Sequence, residues 1–146
     1  MNRYEQLLDE IDNTGDTHYF DSNATEFPSM VVRHNRVYGI FFNERVYDTT
    51  ADKYVALAHE KGHCDTGSVY CIHTPLITKE QCEARAKRSA TYSMMPLDAL
   101  IAAFEGGCAN VFELSEYFEV TEDFMRFALE LYEQDLRQIW REKYGE

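Results

Sequence analysis

The sequence contains no uninterrupted apolar segment of the roughly 20 residues that a membrane-spanning helix requires. Its first residues, Met1-Asn2-Arg3-Tyr4-Glu5, also lack the hydrophobic stretch of a secretory signal peptide. These absences argue against a membrane protein and against secretion by that route. We therefore expect a soluble, cytoplasmic protein with no membrane partner.

Positive charge is also scarce. The 14 Lys and Arg residues are outnumbered by 26 Asp and Glu residues, so the net charge is −12. General nucleic-acid binding depends on cations that neutralise phosphates, so direct binding to nucleic acid is not expected. The acidity favours solubility, or attraction of a basic protein partner.

The four cysteines include no C-x-x-C pair, the spacing typical of cysteine-rich zinc sites. Two disulfides would be possible by number, but no secretory signal supports them. We expect all four to be buried free thiols in a reducing compartment. They are Cys64, Cys71, Cys82 and Cys108.

The sequence does contain enough apolar material for a folded domain. Hydrophobic residues make up 45% and aromatic residues 14% of its 146 positions. We find no internal repeat, low-complexity run or linker. The chain is therefore predicted to form a single domain, residues 1–146, with an α+β fold.

The N-terminal third combines a helix with strands. Apolar residues at helical spacing predict a helix over residues 2–12, and the stretch through residue 28 has no clear period, which indicates an irregular connection. Runs of β-branched and aromatic residues then predict a small antiparallel meander. Its strands are expected at residues 30–32, 37–42 and 45–47.

The remaining chain has the patterns of helices. Thr49 and Thr50 are N-cap candidates for a helix that ends near Gly67. A capping box at residues 78–81 predicts the start of the next helix, which is expected to end before Pro96. The C-terminal part, about residues 97–146, is expected to be helical. Its helices are predicted at residues 97–104, 111–118 and 121–129, with a helical tail through Trp140.

The sequence His59-Glu60-Lys61-Gly62-His63 lies in the first of those helices. Histidines four residues apart lie on one helix face on adjacent turns, so both imidazoles can reach one metal ion. Glu60 lies beside that pair and can accept a proton from a water molecule that the ion acidifies. The spacing predicts two zinc ligands, His59 and His63, and a general base, Glu60.

Catalytic zinc usually takes a third protein ligand, and four downstream residues are candidates: Asp65, His73, Glu80 and Glu83. Asp65 is too close along the helix to complete a tetrahedron easily, and Glu80 belongs to an exposed first turn. Glu83 lies one turn further on and borders a line of small side chains that allows close helix packing. Glu83 is therefore the best choice.

Three parts of the sequence together resemble the ImmA/IrrE family of zinc metallopeptidases. They are residues 59–70, then Glu83-Ala84 with the helix leading to Met94-Met95-Pro96, and residues 113–124. The likeness covers roughly residues 30–132. It implies a zincin-like fold with a small sheet beside the metal-binding helices. It also implies that His59, His63 and Glu83 bind Zn²⁺ and that Glu60 is the catalytic base. Lys61 departs from the apolar residue usual at its position.

The resemblance also implies a partner. Several members of the family belong to prophages or integrative elements and cleave, or otherwise relieve, a helix-turn-helix repressor. We therefore expect a zinc endopeptidase that acts on such a basic repressor, with a non-cleaving module that sequesters the repressor as the alternative. Tyr70, His73 and Tyr92 are available as oxyanion donors, and the sequence does not choose among them.

A third hypothesis takes residues 111–129 as a DNA-binding helix-turn-helix. Its second helix opens with Glu122 and Asp123 and has Arg126 as its one cation that could read a base. Recognition helices present their N-terminal residues to base edges, where acids are repelled by phosphate. We expect that this segment does not bind DNA.

Overall fold

The computed structural model describes residues 1–22 and 28–145. Within those residues the chain forms seven α-helices, one short 3-10 helix and three strands. The predicted α+β class, with a small sheet and a helical C-terminal part, is confirmed. None of the helices in this part of the chain is both long and apolar enough to cross a bilayer.

Helix α1 (Arg3–Asn13) begins at the capping box that Asn2 and Glu5 form. The Asn2 side chain accepts a hydrogen bond from the Glu5 backbone N–H at 2.8 Å, and the Glu5 carboxylate accepts one from the Asn2 N–H at 3.1 Å. The buried stripe of α1 includes Leu7 and Ile11. This stripe anchors the N-terminus to the core beside the sheet.

The sheet has the strand order β1-β3-β2, with β1 at Thr17–Asp21, β2 at Ser29–His34 and β3 at Val37–Phe42. Strand β1 runs parallel to β3, and β2 runs antiparallel to it. The central strand contributes Ile40 and Phe42, both fully buried. Strand β2 is left at one edge of the sheet.

The prediction of a wholly antiparallel meander is therefore wrong in its third strand. Residues 45–47 do not form a strand, because Glu44–Val46 is a 3-10 helix whose start is capped by the Asn43 side chain. The third strand is β1, in the stretch predicted to be an irregular connection. Another part of that stretch, residues 23–27, lies outside the described residues.

Helix α2 (Thr50–Thr66) has the predicted ends. The Thr49 hydroxyl caps its first turn, and Gly67 ends it in a left-handed conformation with φ +67°. It packs closely along α3 (Leu76–Met94). A Cβ atom on Gly62 would lie 2.3 Å from the backbone oxygen of Ala86, so only glycine allows the two helices to approach this closely.

The start of α3 differs from the prediction. The capping box at residues 78–81 does not open the helix, which begins two residues earlier at Leu76. Pro75 precedes the first helical residue and makes no side-chain capping bond. The pattern was misleading because Thr78 lies inside the first turn.

The C-terminal part consists of α4 (Leu97–Glu105), α5 (Val111–Phe118), α6 (Glu122–Leu131) and α7 (Glu133–Tyr144). The Tyr132 hydroxyl, between α6 and α7, donates a hydrogen bond to the backbone oxygen of Met95 at 3.0 Å. Because Met95 directly follows α3, this bond ties the C-terminal helices to the helix that carries Glu83. Fully buried residues of this part include Leu100, Leu114, Met125 and Ala128.

All four cysteines are free thiols. Cys64 and Cys82 are buried as expected, and burial raises the pKa of Cys64 to about 12. The expectation of burial is wrong for Cys71, which is exposed, and Cys108 is only partly buried. A buried thiol with a raised pKa is a poor nucleophile, so Cys64 is inert despite its place beside His63.

Candidate metal centre

Helix α2 brings His59 and His63 together on one face. Their ring centroids are 4.8 Å apart and the two rings are nearly perpendicular. Glu60 lies beside them, and the metal-binding atoms of the three side chains all lie within 4.8 Å of one another. The four-residue spacing therefore produces the convergence that helix geometry predicts.

Glu83 reaches the same point from α3. Its Oε2 lies 2.6 Å from His59 Nε2, and its Oε1 lies 3.3 Å from His63 Nε2. The contact lies next to the close approach of the helices, where Gly62 of α2 faces Ala86, about one turn after Glu83 on α3. The three predicted ligands thus meet in the structure, although 24 positions separate His59 from Glu83.

His63 is buried, and its tautomer follows from its partners. Its Nδ1 lies 2.7 Å from the backbone oxygen of Ser68. A carbonyl oxygen only accepts hydrogen bonds, so Nδ1 carries a proton and donates it. Its other ring nitrogen, Nε2, lies 3.3 Å from Glu83 Oε1.

Glu83 is held in its charged form. Partial burial raises the pKa of its carboxyl group, but hydrogen bonds from Tyr70 and His59 and the charges of both histidines outweigh that effect, so the pKa is lowered overall. The Tyr70 hydroxyl donates to Glu83 Oε1 at 2.6 Å. That bond, with burial second, raises the pKa of Tyr70 to about 12, so the phenol keeps its proton.

Glu60 has a different environment from Glu83. Burial raises the pKa of its carboxyl group, and the two histidines and a hydrogen bond from Ser29 offset part of that rise. The Ser29 hydroxyl donates to Glu60 Oε1 at 3.1 Å. Burial acts in the same direction on both carboxyl groups, but the net pKa shift is upward for Glu60 and downward for Glu83.

A cavity of about 250 Å³ opens over this group of side chains. One of its walls is the edge strand β2. The residues that line it are Ser29, Met30, Val31, Glu60, His63, Val69, Tyr70 and Glu83. Glu60, His63 and Glu83 therefore face an open space beside the edge strand.

The donor set fits zinc. Two imidazole nitrogens and one carboxylate are among the standard ligand sets of catalytic zinc, which keeps a further position for water or substrate. His63 would offer its Nε2 to the ion, because its Nδ1 already donates to Ser68. The Ser68 oxygen and the Tyr70 hydroxyl supply the outer hydrogen bonds that usually orient metal ligands.

No family model, curated protein or solved structure matches this chain. The candidate centre is therefore defined by its own geometry. The other residues considered from the sequence lie outside it. Asp65 pairs with Lys61 at 2.7 Å, and His73 and Glu80 are exposed. Tyr92 packs against Tyr132, with ring centroids 5.7 Å apart.

Three features of the centre were not predicted. Ser29 bonds to Glu60 from 31 residues away, Ser68 orients His63 through a backbone oxygen, and the Tyr70 hydroxyl donates to Glu83. A backbone contact is independent of residue type, so nothing in the sequence could indicate the role of Ser68. Tyr70 is one of the candidate oxyanion donors, and in the structure its hydroxyl donates to Glu83.

Proposed function

We propose that this chain is a zinc-dependent endopeptidase of the ImmA/IrrE type. The observation that carries the proposal is the arrangement around His63. Its Nδ1 proton is donated to Ser68, and its Nε2 faces Glu83 beside His59. With Nδ1 bonded to Ser68, His63 can offer a metal ion only its Nε2, which lies beside the same carboxylate as His59 Nε2. Two imidazoles and a carboxylate that meet at one point form a ligand set typical of catalytic zinc.

His59, His63 and Glu83 would hold the ion. The chemistry that an ion held there would supply is acidification of a water molecule and polarisation of the scissile carbonyl group. Glu60 would accept the proton of the attacking water and later pass it to the leaving amine. Ser29 supports this role, because its hydroxyl fixes one carboxylate oxygen of Glu60. The second oxygen remains for the proton transfer.

The shape of the cavity supports an extended substrate. Strand β2 lies at the edge of the sheet and lines the cavity through Ser29, Met30 and Val31. An edge strand presents unpaired backbone groups to a segment that lies beside it. The bond that is cut would therefore lie in a linker or a locally unfolded segment of the target protein.

The target we propose is a helix-turn-helix repressor of a prophage or mobile element. A repressor has a basic surface that faces phosphates, and this surface complements a chain of net charge −12. Opposite charge speeds encounter at low salt, so cleavage should slow as ionic strength rises.

The test is incubation of the zinc-loaded protein with a repressor-like protein encoded beside it. We expect a discrete fragment from the wild type. Glu60→Gln should slow its formation by about 10²–10⁴-fold while zinc stays bound. Glu80→Gln, an exposed acid near the start of the same helix as Glu83, is the control and should cleave normally. A Glu60→Gln protein that cleaves at the wild-type rate contradicts the proposal.

The same experiment separates the alternative function. If no fragment forms and Glu60→Gln relieves repression as well as the wild type, the protein sequesters its repressor without cutting it. Relief of repression that disappears with Glu60→Gln supports cleavage.

A further inference from the structure

A second cavity, of about 570 Å³, lies between α3 and α6 next to the candidate metal centre. His59 and Glu83 form one side of it. Because Glu83 also lines the first cavity, the two spaces adjoin at this carboxylate. A peptide held over the metal centre would therefore place a neighbouring side chain or chain end in the second cavity.

Two cations line this second cavity. Lys87 and Arg88 follow Glu83 by about one turn of α3. Neither makes an ion pair with any residue in the described part of the chain. In a chain with an excess of acids, two unpaired positive charges beside the metal centre form a local site of opposite sign to the molecule as a whole.

The opposite wall is apolar and holds one of the cations in place. Phe127 and Leu131 of α6 line the cavity, and the ammonium nitrogen of Lys87 lies 3.9 Å from the centre of the Phe127 ring. A cation over an aromatic face is attracted by the ring and loses some of its freedom. The cavity therefore combines positive charge in a defined place with an apolar surface.

We propose that this cavity is a specificity subsite that binds a carboxylate group of the peptide substrate, with the apolar stem of that group against Phe127 and Leu131. The proposal rests on the proposed peptidase function and names the substrate class of that site. The carboxylate is either an acidic side chain or the C-terminus of the peptide. A carboxylate accepts hydrogen bonds from Arg88 and Lys87 together, which no neutral side chain matches in strength.

A purely structural role would explain the same residues differently. Lys87 and Arg88 would then only offset the charge of Glu83, and their removal would change zinc binding without changing which peptides are cut. Substrate preference is therefore the property that separates the two explanations.

The first test uses a mixture of proteome-derived peptides with free C-termini and a second mixture with amidated C-termini, cut by zinc-loaded protein and read by mass spectrometry. We expect acidic residues to be enriched about three- to tenfold at one fixed position from the cut. If the enrichment is also seen in the amidated mixture, the carboxylate that binds is an acidic side chain. If cleavage occurs near the chain end and amidation abolishes it, the carboxylate is the C-terminus of the peptide.

The variant for this test is Lys87→Gln combined with Arg88→Gln, and the control is Arg36→Gln combined with Arg141→Gln. The control removes the same charge at two exposed positions outside both cavities. We expect the preference to disappear in the first double variant and to persist in the control. A wild-type profile without preference for a carboxylate, or one that the first double variant retains, overturns the proposal.

A binding measurement keeps the subsite testable if cleavage fails. Three short peptides are titrated into the zinc-loaded Glu60→Gln protein, and binding is followed by NMR. They are N-acetyl-leucyl-glutamate amide, its glutamine counterpart, and the glutamine peptide with a free C-terminus. We expect at least one carboxylate peptide to bind about three- to tenfold more tightly than the neutral one, and Lys87→Gln with Arg88→Gln to remove that difference. If the carboxylate peptide binds only the zinc ion, its affinity will be the same with and without the Lys87→Gln and Arg88→Gln substitutions. That result would contradict the subsite.

The two proposals fail in different ways. If the wild type cuts neither the repressor nor any peptide in either mixture, the endopeptidase function is wrong and the binding measurement alone decides the subsite. If it cuts the repressor but no peptide, the function stands and the binding measurement again decides the subsite. If the wild type cuts peptides without regard to carboxylates, the function stands and the subsite is wrong.

Discussion

At the scale of single residues, the candidate centre depends on hydrogen bonds to its ligands as much as on the ligands themselves. Tyr70 donates to Glu83 and so keeps the carboxylate charged and oriented. The backbone oxygen of Ser68 orients the His63 ring by accepting a hydrogen bond from Nδ1. Outer partners of this kind typically change metal affinity by about 10–100-fold when they are removed.

Tyr70→Phe removes the hydroxyl that donates to Glu83 and leaves the ring in place. We expect zinc affinity to fall by about 10–100-fold, measured by competition with a chelating dye. The fold should be kept, because Tyr70 is partly exposed at 38%.

Ser68→Ala is the matched control, since it also removes one hydroxyl near the centre. The Ser68 hydroxyl is buried and makes no hydrogen bond with a described residue, and its contact with His63 uses the backbone. Zinc affinity should therefore stay within about twofold of the wild type, because no bond to a ligand is lost. Equal affinity of Tyr70→Phe and the wild type would show that the tyrosine does not support Glu83.

At the scale of elements, the contact between α2 and α3 builds the centre. Gly62→Ala would place a Cβ 2.3 Å from the backbone oxygen of Ala86. The helices must move apart, which costs about 1–3 kcal/mol, more than the roughly 1 kcal/mol that alanine gains over glycine in a helix. We expect a lower melting temperature and, because Glu83 moves with α3, weaker zinc binding.

Thermal unfolding and the same dye competition measure these two effects. If Gly62→Ala raises the melting temperature and leaves zinc affinity unchanged, helix propensity outweighs the clash and the close contact does not position Glu83.

The pair α5–α6 leads to a negative prediction. Arg126, the candidate base-reading cation of α6, pairs with Glu122 at 3.2 Å and with Asp123 at 3.4 Å. The two acids place negative charge beside this cation, which disfavours its approach to phosphate. Fluorescence anisotropy at low salt should show no sequence-specific binding to operator duplexes, and affinity tighter than about micromolar would contradict this prediction.

The elements also show where sequence patterns suffice. The ends of α2 were predictable because Thr49 and Gly67 act locally. Strand β1 was missed because only Thr17 of its five residues is buried, so it has no alternating apolar pattern. The start of α3 was misplaced because Thr78 imitates a cap inside the first turn. Apolar runs thus located β2 and β3 but not β1, and a capping pattern located the start of α2 but not that of α3.

At the scale of the whole molecule, the candidate centre combines three side chains of one helix with side chains from distant parts of the chain. His59, Glu60 and His63 were predictable from spacing alone, because helix geometry fixes their relation. The position of Glu83 beside the histidines depends on the packing of α2 against α3. The line of small side chains on α3 indicated this packing only approximately. Ser29 required the sheet to pack beside α2, and no pattern within the sequence encodes that contact.

The measurement that tests the central claim most directly is zinc content after dialysis, determined by elemental analysis. We expect one zinc ion per chain in the wild type, and less than one in His59→Ala and Glu83→Ala because each loses a ligand. Glu60→Gln should keep a full complement, since Glu60 acts as the base and not as a ligand. A Glu83→Ala or His59→Ala protein that retains stoichiometric zinc would contradict the account.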